Sequence, residues 1–440
     1  MDVRHKIITY IDKHREEAIQ FLREMVRFDS TIIDQGVDGK EKEIQEWLAE
    51  RLESWGYKVR LFEPDNDRLS EYADYNPGHI YHNRPNLVAV KQGTGEGRSI
   101  LLNGHVDTVA VGDLNKWSHS PWSADVSEGR IYGRGTTDMK GGVAAMILAA
   151  RFLEQAGVEL KGDLMIQSVV DEEGGGNGTL ACVAEGYRAD AAVVTEPTRF
   201  HIQPIGRGVL LLEVEVYGKA NHACYKWEGV NAIEKAMKIA EGLKELEHEW
   251  IARRSNPQLP GPSISLGYMN GGIAAPIVPD ACTLKFDIKY LPVVVGPDGK
   301  ETEMSGDQIK FEVEERIRRI CSSDSWLEQY PPRLNWFLHV MPHRLEPSHE
   351  LVATAAGVSE ELFGWSKISG LPSGSDARHL LNSGGIPSIV FGPGDMRMAH
   401  TIDESIGVEE YISAIKALAL IILDWTNKSS VEVSSIGRQS

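Results

Sequence analysis

The stretch SVVDEEGGGN, residues 168–177, runs an apolar segment into three consecutive carboxylates and then three glycines. Asp171, Glu172 and Glu173 repel one another at that range, so a nearby positive charge is expected to offset them. More acids and histidines sit in comparable places. His105 and Asp107 end SILLNGHVDTV, Asp138 lies in RGTTDMKGG, Glu196 ends AAVVTEP, and His400 lies in MAHTIDESI. In open α/β sheets ligands bind at the carboxyl ends of the strands, which is where these residues fall except His400, which stands before the final helix and is drawn in by the rest of the set. Histidine and carboxylate donors without thiols suit zinc in a catalytic rather than a structural site. In a strand, residues i and i+2 share a face, so the Asp107 carboxylate can accept the His105 ring N–H and aim the other nitrogen at a metal. Glu172 and Glu173, read as extended chain, point to opposite sides. One can then bind metal while the other acts as general base on a metal-bound water. The glycines let the chain turn sharply without blocking access.

The elements that must position these residues follow from periodicity. Residues 4–24 and EKEIQEWLAERLESWG read as amphipathic helices, and YKVRLF, NLVAVK and SILLNGHVDTV as strands. GVAAMILAARFLEQAG is apolar on most faces and reads as a buried helix. DLMIQSVV and AAVVTEP follow as strands, so an α/β fold is expected, with a mostly parallel sheet and helices on both faces. After Gly206 the style changes to a strand (GVLLLEVEVYG), a helix, two strands (SISLGYMNGG, ACTLKFDIKYLP), a helix and a last strand (PPRLNWFLHV). That β-α-β-β-α-β order is the ferredoxin-like one. The expected division is therefore one domain of residues 1–207 and 343–440, with residues 208–342 inserted. Residues 427–440, NKSSVEVSSIGRQS, read as a loose tail.

Composition narrows the function classes. The chain has 440 residues, with 46 Lys+Arg against 64 Asp+Glu for a net charge of -18. Such a surface speaks against nucleic acid and anionic membrane as partners. The longest apolar run, ALALIIL at 417–423, is too short to span a bilayer, and the N-terminal segment lacks a signal-peptide core. Cys182, Cys224, Cys282 and Cys321 are far apart, which fits reduced thiols in a cytoplasmic protein.

Taken in order, GHVDTV, the Trp117 and Pro121-Trp122 loop, GRGTTDMKGG, DEEGGG, TEPT, NHA and AHTIDE span nearly the whole chain. This ordered set resembles the di-zinc family of acetylornithine deacetylase, succinyl-diaminopimelate desuccinylase, aminoacylase and related carboxypeptidases. The resemblance implies a catalytic α/β domain carrying an inserted lid, and two Zn²⁺ per subunit, with Co²⁺ or Mn²⁺ as substitutes. By motif position Asp138 would bridge the ions, His105 and Glu196 would complete one site, and Glu173 and His400 the other. Glu172 would be the general base, Asp107 the residue that orients His105, and His222 of the lid a polariser of the scissile carbonyl in the neighbouring subunit. A homodimer joined through the lids and a small N-acylated substrate are implied with it. Water activated between the ions would attack the amide, and Glu172 would pass its proton to the departing amine.

The chain departs from the family pattern on the lid. Lys289 stands where many relatives have an Arg that grips a substrate carboxylate, and a Lys offers a point charge in place of a bidentate fork. Pro276-Ile277-Val278-Pro279 replaces Asn-Val-Val-Pro. Both changes weaken the case for acetylornithine or succinyl-diaminopimelate and leave room for a formylated aminopyrimidine. Asn270, Lys289 and Arg378 are the candidate substrate contacts. A metallo-exopeptidase acting on dipeptides would use the same zinc constellation. A non-catalytic binding protein would be expected to have lost the base or a ligand, and neither is missing.

Overall fold

The computed structural model describes residues 2–429, apart from the side chain of Gln35. The expected loose tail lies outside the described residues from residue 430 on. The chain forms two compact units. One comprises the chain up to Pro204, Arg344–Ser369 and the chain from Ser375 on; the other comprises Ile205–His343 with Gly370–Gly374. The short return at Gly370–Gly374 has no signal in the sequence pattern.

In chain order the first unit's main elements are β1 (Lys58–Phe62), β2 (Asn86–Lys91), β3 (Ile100–His105), α1 (Lys140–Gln155), β4 (Leu164–Val169), α2 (Asn177–Ala184) and β5 (Ala191–Val194). The second unit contributes β6 (Gly208–Tyr217), α3 (Ala232–Arg253), β7 (Ser263–Gly271), β8 (Ala281–Tyr290), α4 (Gly306–Ser322) and β9 (Arg333–Val340). The chain then returns to the first unit with β10 (Ser388–Val390) and α5 (Val408–Thr426).

The sheet whose strand ends lead into the acidic residues has these strands in the order β1-β2-β4-β3-β5-β10. Pairing is parallel between β4 and β3, β3 and β5, and β5 and β10. It is antiparallel between β2 and β4 and between β1 and β2. The sheet is thus mixed, which corrects the expectation of a mostly parallel one. An antiparallel neighbour needs no helical crossover. The segment between β1 and β2, residues 63–85, is released from that task and instead packs side chains beneath the acidic turn.

Helix α1 is buried along its length except at Arg151, Glu154 and Gln155, and α5 packs against it. Leu87 and Ala89 of β2 join that core, whereas Val88 faces the other way and packs with Val169 and Cys182 of α2. Both faces of the sheet are therefore covered, and truncating a core residue such as Ile147 to Ala is expected to cost about 2–5 kcal/mol. Helix α1 begins pressed onto the end of β5: a side chain at Gly142 would put its Cβ 2.0 Å from the Thr195 carbonyl oxygen. That close approach sets the loop before α1, with Asp138, against the strand end that carries Glu196.

The second unit is a sheet in the order β7-β8-β6-β9, antiparallel throughout. Burial alternates along β6 and β8, and the buried face packs against α3 and α4. Asn231 caps α3, and Ser305 with Gln308 forms a capping box on α4. Among the described residues no helix is long and apolar enough to cross a membrane.

Candidate metal-binding and hydrolytic site

The register of β3 on β4 pairs His105 with Val169, so the acidic turn after β4 emerges beside His105. His105 Nε2 lies 3.2 Å from Asp138 Oδ1, 3.8 Å from Glu196 Oε1 and 3.9 Å from Glu172 Oε2. His400 Nε2 lies 2.8 Å from Glu173 Oε1 and 3.4 Å from Asp138 Oδ2. The two oxygens of Asp138 therefore face two different histidines, one buried and one exposed. Donor atoms of His105, Asp138 and Glu173 lie within 4.8 Å of one another, as do those of His105, Glu172 and Glu196.

Glu172 and Glu173 reach different donor groups, but not as neighbours in extended chain. Asp171 has a left-handed backbone, φ 67°, and residues 172–175 form a turn. Asp107 also works differently from expectation. His105 Nδ1 is 2.9 Å from the Asp107 carbonyl oxygen and 3.5 Å from its carboxylate. The carboxylate instead accepts the backbone N–H groups of Glu172 at 3.2 Å and Glu173 at 3.0 Å. One residue thus aims the imidazole with its main chain and holds the acidic turn with its side chain.

The electrostatics describe a site short of positive charge. Burial pushes the Glu172 and Glu196 carboxyls well above the usual range and Glu173 up to about 7. Burial also acts against Asp138, but its contacts with His105 and His400 outweigh it and hold that carboxyl low. Contacts with Asp138 and Glu173 raise His400 to about 10. Glu196 Oε2 is buried with no hydrogen-bond partner. A buried acceptor without a donor, amid carboxylates that cannot all ionise together, fits a site built for cations. The donor chemistry, imidazole and carboxylate, fits zinc and also manganese or cobalt.

The comparisons with known proteins agree with this chemistry. The model of peptidase family M20/M25/M40 matches residues 101–424. The chain belongs to this family. An N-formyl-4-amino-5-aminomethyl-2-methylpyrimidine deformylase of Halalkalibacterium halodurans is 29% identical over 97% of this chain and 98% of its own length. An acetylornithine deacetylase of Myxococcus xanthus is 30% identical over 76% of this chain and 82% of its own. In fold, the di-peptidase Dug1p of Saccharomyces cerevisiae matches with a TM-score of 0.75 at 14% identity, over 97% of this chain and 99% of that one. The chain is accordingly a metal-dependent hydrolase of amide bonds.

In this M20-family chain the turn's first acid stands apart from the other two. Asp171 is fully buried, accepting from the Tyr81 hydroxyl at 2.6 Å, with His79 Nδ1 at 3.1 Å and Arg84 Nη2 at 3.4 Å. Arg84 is shared with Glu41, whose oxygens it meets at 2.7–3.1 Å. Arg378, expected to touch substrate, is corrected to a buried anchor. Its Nε donates to Asp74 at 2.9 Å and its Nη2 to the Gly175 carbonyl at 2.6 Å. Only 1% of its surface is exposed, which leaves no face for a ligand.

Lys289 and Asn270 lie in the second unit. Lys289 Nζ pairs with both Asp287 oxygens at 2.9 Å, and Asn270 is exposed with its amide donating to the Tyr268 hydroxyl at 3.0 Å. His222 is exposed there too, its Nδ1 accepting the Cys224 N–H at 3.1 Å. Glu404 is a site residue that sequence reading missed. Its Oε1 accepts the N–H groups of Thr137 at 2.9 Å and Asp138 at 3.1 Å, while Oε2 pairs with Arg134 at 2.6 Å. Its nearness to His400 in AHTIDES was the available signal, but nothing local tied it to a loop more than two hundred residues away.

Proposed function

We propose that this chain removes an N-acyl group from a small amine, with an N-formylated aminopyrimidine as the preferred substrate class. The observation that carries the hydrolytic reading is the cluster in which the two Asp138 oxygens face the buried His105 and the exposed His400, with Glu172, Glu173 and Glu196 gathered around them. The preference for a formyl aminopyrimidine rests on the full-length match to the deformylase, against partial coverage by the acetylornithine deacetylase. The Lys289 and Pro276 departures favour the same direction.

Two zinc ions are proposed, with His105 and Glu196 holding one, Glu173 and His400 the other, and Asp138 both. Bound there, they would supply Lewis acidity, making a water acidic near neutral pH and polarising a carbonyl oxygen. The chain's own part follows from its geometry. Glu172, with a carboxyl that burial has made basic, takes the proton of the attacking water and returns it to the departing amine. Asp107, by accepting the Glu172 and Glu173 N–H groups, keeps that carboxylate from rotating away with its turn. His222 is assigned to donate to the developing oxyanion, a contact typically worth about 3–4 kcal/mol. The assignment goes with a homodimer formed through the 208–342 lid domain and with a cytoplasmic location, where the free cysteines stay reduced.

The test is one hydrolysis panel on the zinc-loaded protein: the formyl aminopyrimidine, N-acetylornithine, N-succinyl-diaminopimelate and dipeptides. The formyl compound is expected to lead in kcat/KM by about 100-fold. Preference for a dipeptide would move the chain to the exopeptidases, and no cleavage with zinc, cobalt or manganese would sink the enzyme reading.

A further inference from the structure

The turn that carries Glu172 is the part of the site least able to order itself. Three consecutive glycines have the most backbone freedom to lose on folding, yet a catalytic base must be held to within about 0.5 Å. The rigidity must come from outside the turn, and the structure shows where. The Gly175 carbonyl accepts two side-chain donors, Asn76 Nδ2 and Arg378 Nη2, each at 2.6 Å. The Gly175 N–H donates back to the carbonyls of Asp171 and Glu172, both at 3.1 Å. Arg378 reaches this carbonyl because Gly176, at φ 81°, has no side chain; a Cβ there would lie 2.5 Å from Nη2. Both donors are themselves fixed. Arg378 is tied to Asp74 and to the Ser375 carbonyl at 3.2 Å. Asn76 exchanges hydrogen bonds with Asn177, whose amide also donates to the Tyr81 hydroxyl at 2.7 Å. Tyr81 in turn holds Asp171, which closes a ring of hydrogen bonds around the turn.

We propose that Asn76 and Arg378 are positioning residues for the general base, acting on Glu172 through the Gly175 peptide. This rests on the Glu172 reading above. One carbonyl needs one donor to be satisfied; a second, on a buried guanidinium, fixes its direction as well. The ring draws on residues 74–81 and on the 375–379 loop, and the hydrogen bonds that form it run to Gly175, Asn177 and Asp171, not to the proposed metal ligands.

The experiment compares Asn76→Ala, Arg378→Lys and Arg378→Met with Glu172→Gln and with Trp425→Phe, a core change remote from the turn. Each is read for kcat, KM, bound zinc, thermal midpoint and amide exchange of the 171–177 peptide. The ring variants are expected to lose about 10–100-fold in kcat, as small misplacements of a reacting group do. Their KM and zinc content should stay at the unaltered values, and exchange in 171–177 should rise. Arg378→Lys, which keeps a donor, should retain more kcat than Arg378→Met. Trp425→Phe should lower the thermal midpoint without changing exchange at the turn. The proposal fails if kcat in the ring variants falls only in step with the folded fraction, as in Trp425→Phe. It fails if KM rises with kcat intact, which would make Arg378 a substrate contact after all. If Glu172→Gln keeps its turnover, the base reading itself falls and the ring has no base to position. If Glu172→Gln is inactive while the ring variants are fully active, the positioning role alone falls.

Discussion

Asp171 and its two neighbours share a turn and a chemistry but have opposite surroundings. Asp171 is met by Tyr81, His79 and Arg84, so its charge is matched inside the protein. Glu172, Glu173 and Glu196 face one another across a site whose cationic side chains are two imidazoles, and burial raises all three carboxyls. A carboxylate with a structural duty brings its counter-charge with it. A carboxylate kept for ligation or proton transfer leaves that charge to be supplied. The difference lies within adjacent residues, so it belongs to the tertiary surroundings and not to the residue type.

The comparison can be broken most sharply at the glutamate proposed as base. Glu172→Gln is expected to lower kcat by about 10²–10⁴-fold, the usual worth of a general base, while the protein still binds its zinc. Metal analysis of the variant decides between roles, because loss of zinc would make Glu172 a ligand of the His105 and Glu196 group. On the compensated side, Arg84→Met should cost stability first. Removing one partner of a buried ion pair leaves Glu41 and Asp171 facing each other and is expected to cost about 3–5 kcal/mol by denaturant unfolding. If Arg84→Met unfolds like the unaltered chain, Asp171 is not held as described.

A third effect separates the two sides by ligand. Zinc at a hundred times its dissociation constant should stabilise the protein by about 2.7 kcal/mol per site, read as a rise in thermal midpoint. Glu196→Gln should shrink that increment, whereas Arg84→Met should lower the baseline and leave the increment in place. The smallest effect is expected at Lys289. Its partly exposed pair with Asp287 should contribute no more than about 1 kcal/mol to stability. Lys289→Ala should therefore fold normally, and a marked change in KM across the substrate panel would show that the lysine meets substrate.

Much of this could be read from the residues alone. Apolar runs ending in histidine or acids predict that His105, Glu173 and Glu196 share one sheet edge, because strand ends in an α/β sheet gather whatever follows them, and Asp138 joins them from the loop before the buried helix. Alternation along β6 and β8 likewise marks the second unit as a one-face-buried sheet. The direction of β1 and β2 was not readable, since a strand's periodicity is the same whichever way its neighbour runs. Nor was the fate of Arg378: in SGSDARHL nothing distinguishes an arginine that meets a ligand from one turned inward to Asp74. The division of labour within Asp107, and the support that Glu404 gives the Asp138 loop, depend on distances between segments far apart in the chain. Sequence alone set the inventory and its spacing, because ligand chemistry needs those side-chain types at strand ends. Only the folded structure decided which of three adjacent acids is neutralised by the protein. That depends on where the 63–85 segment brings Arg84, Tyr81 and His79, and no local rule encodes a meeting across ninety residues.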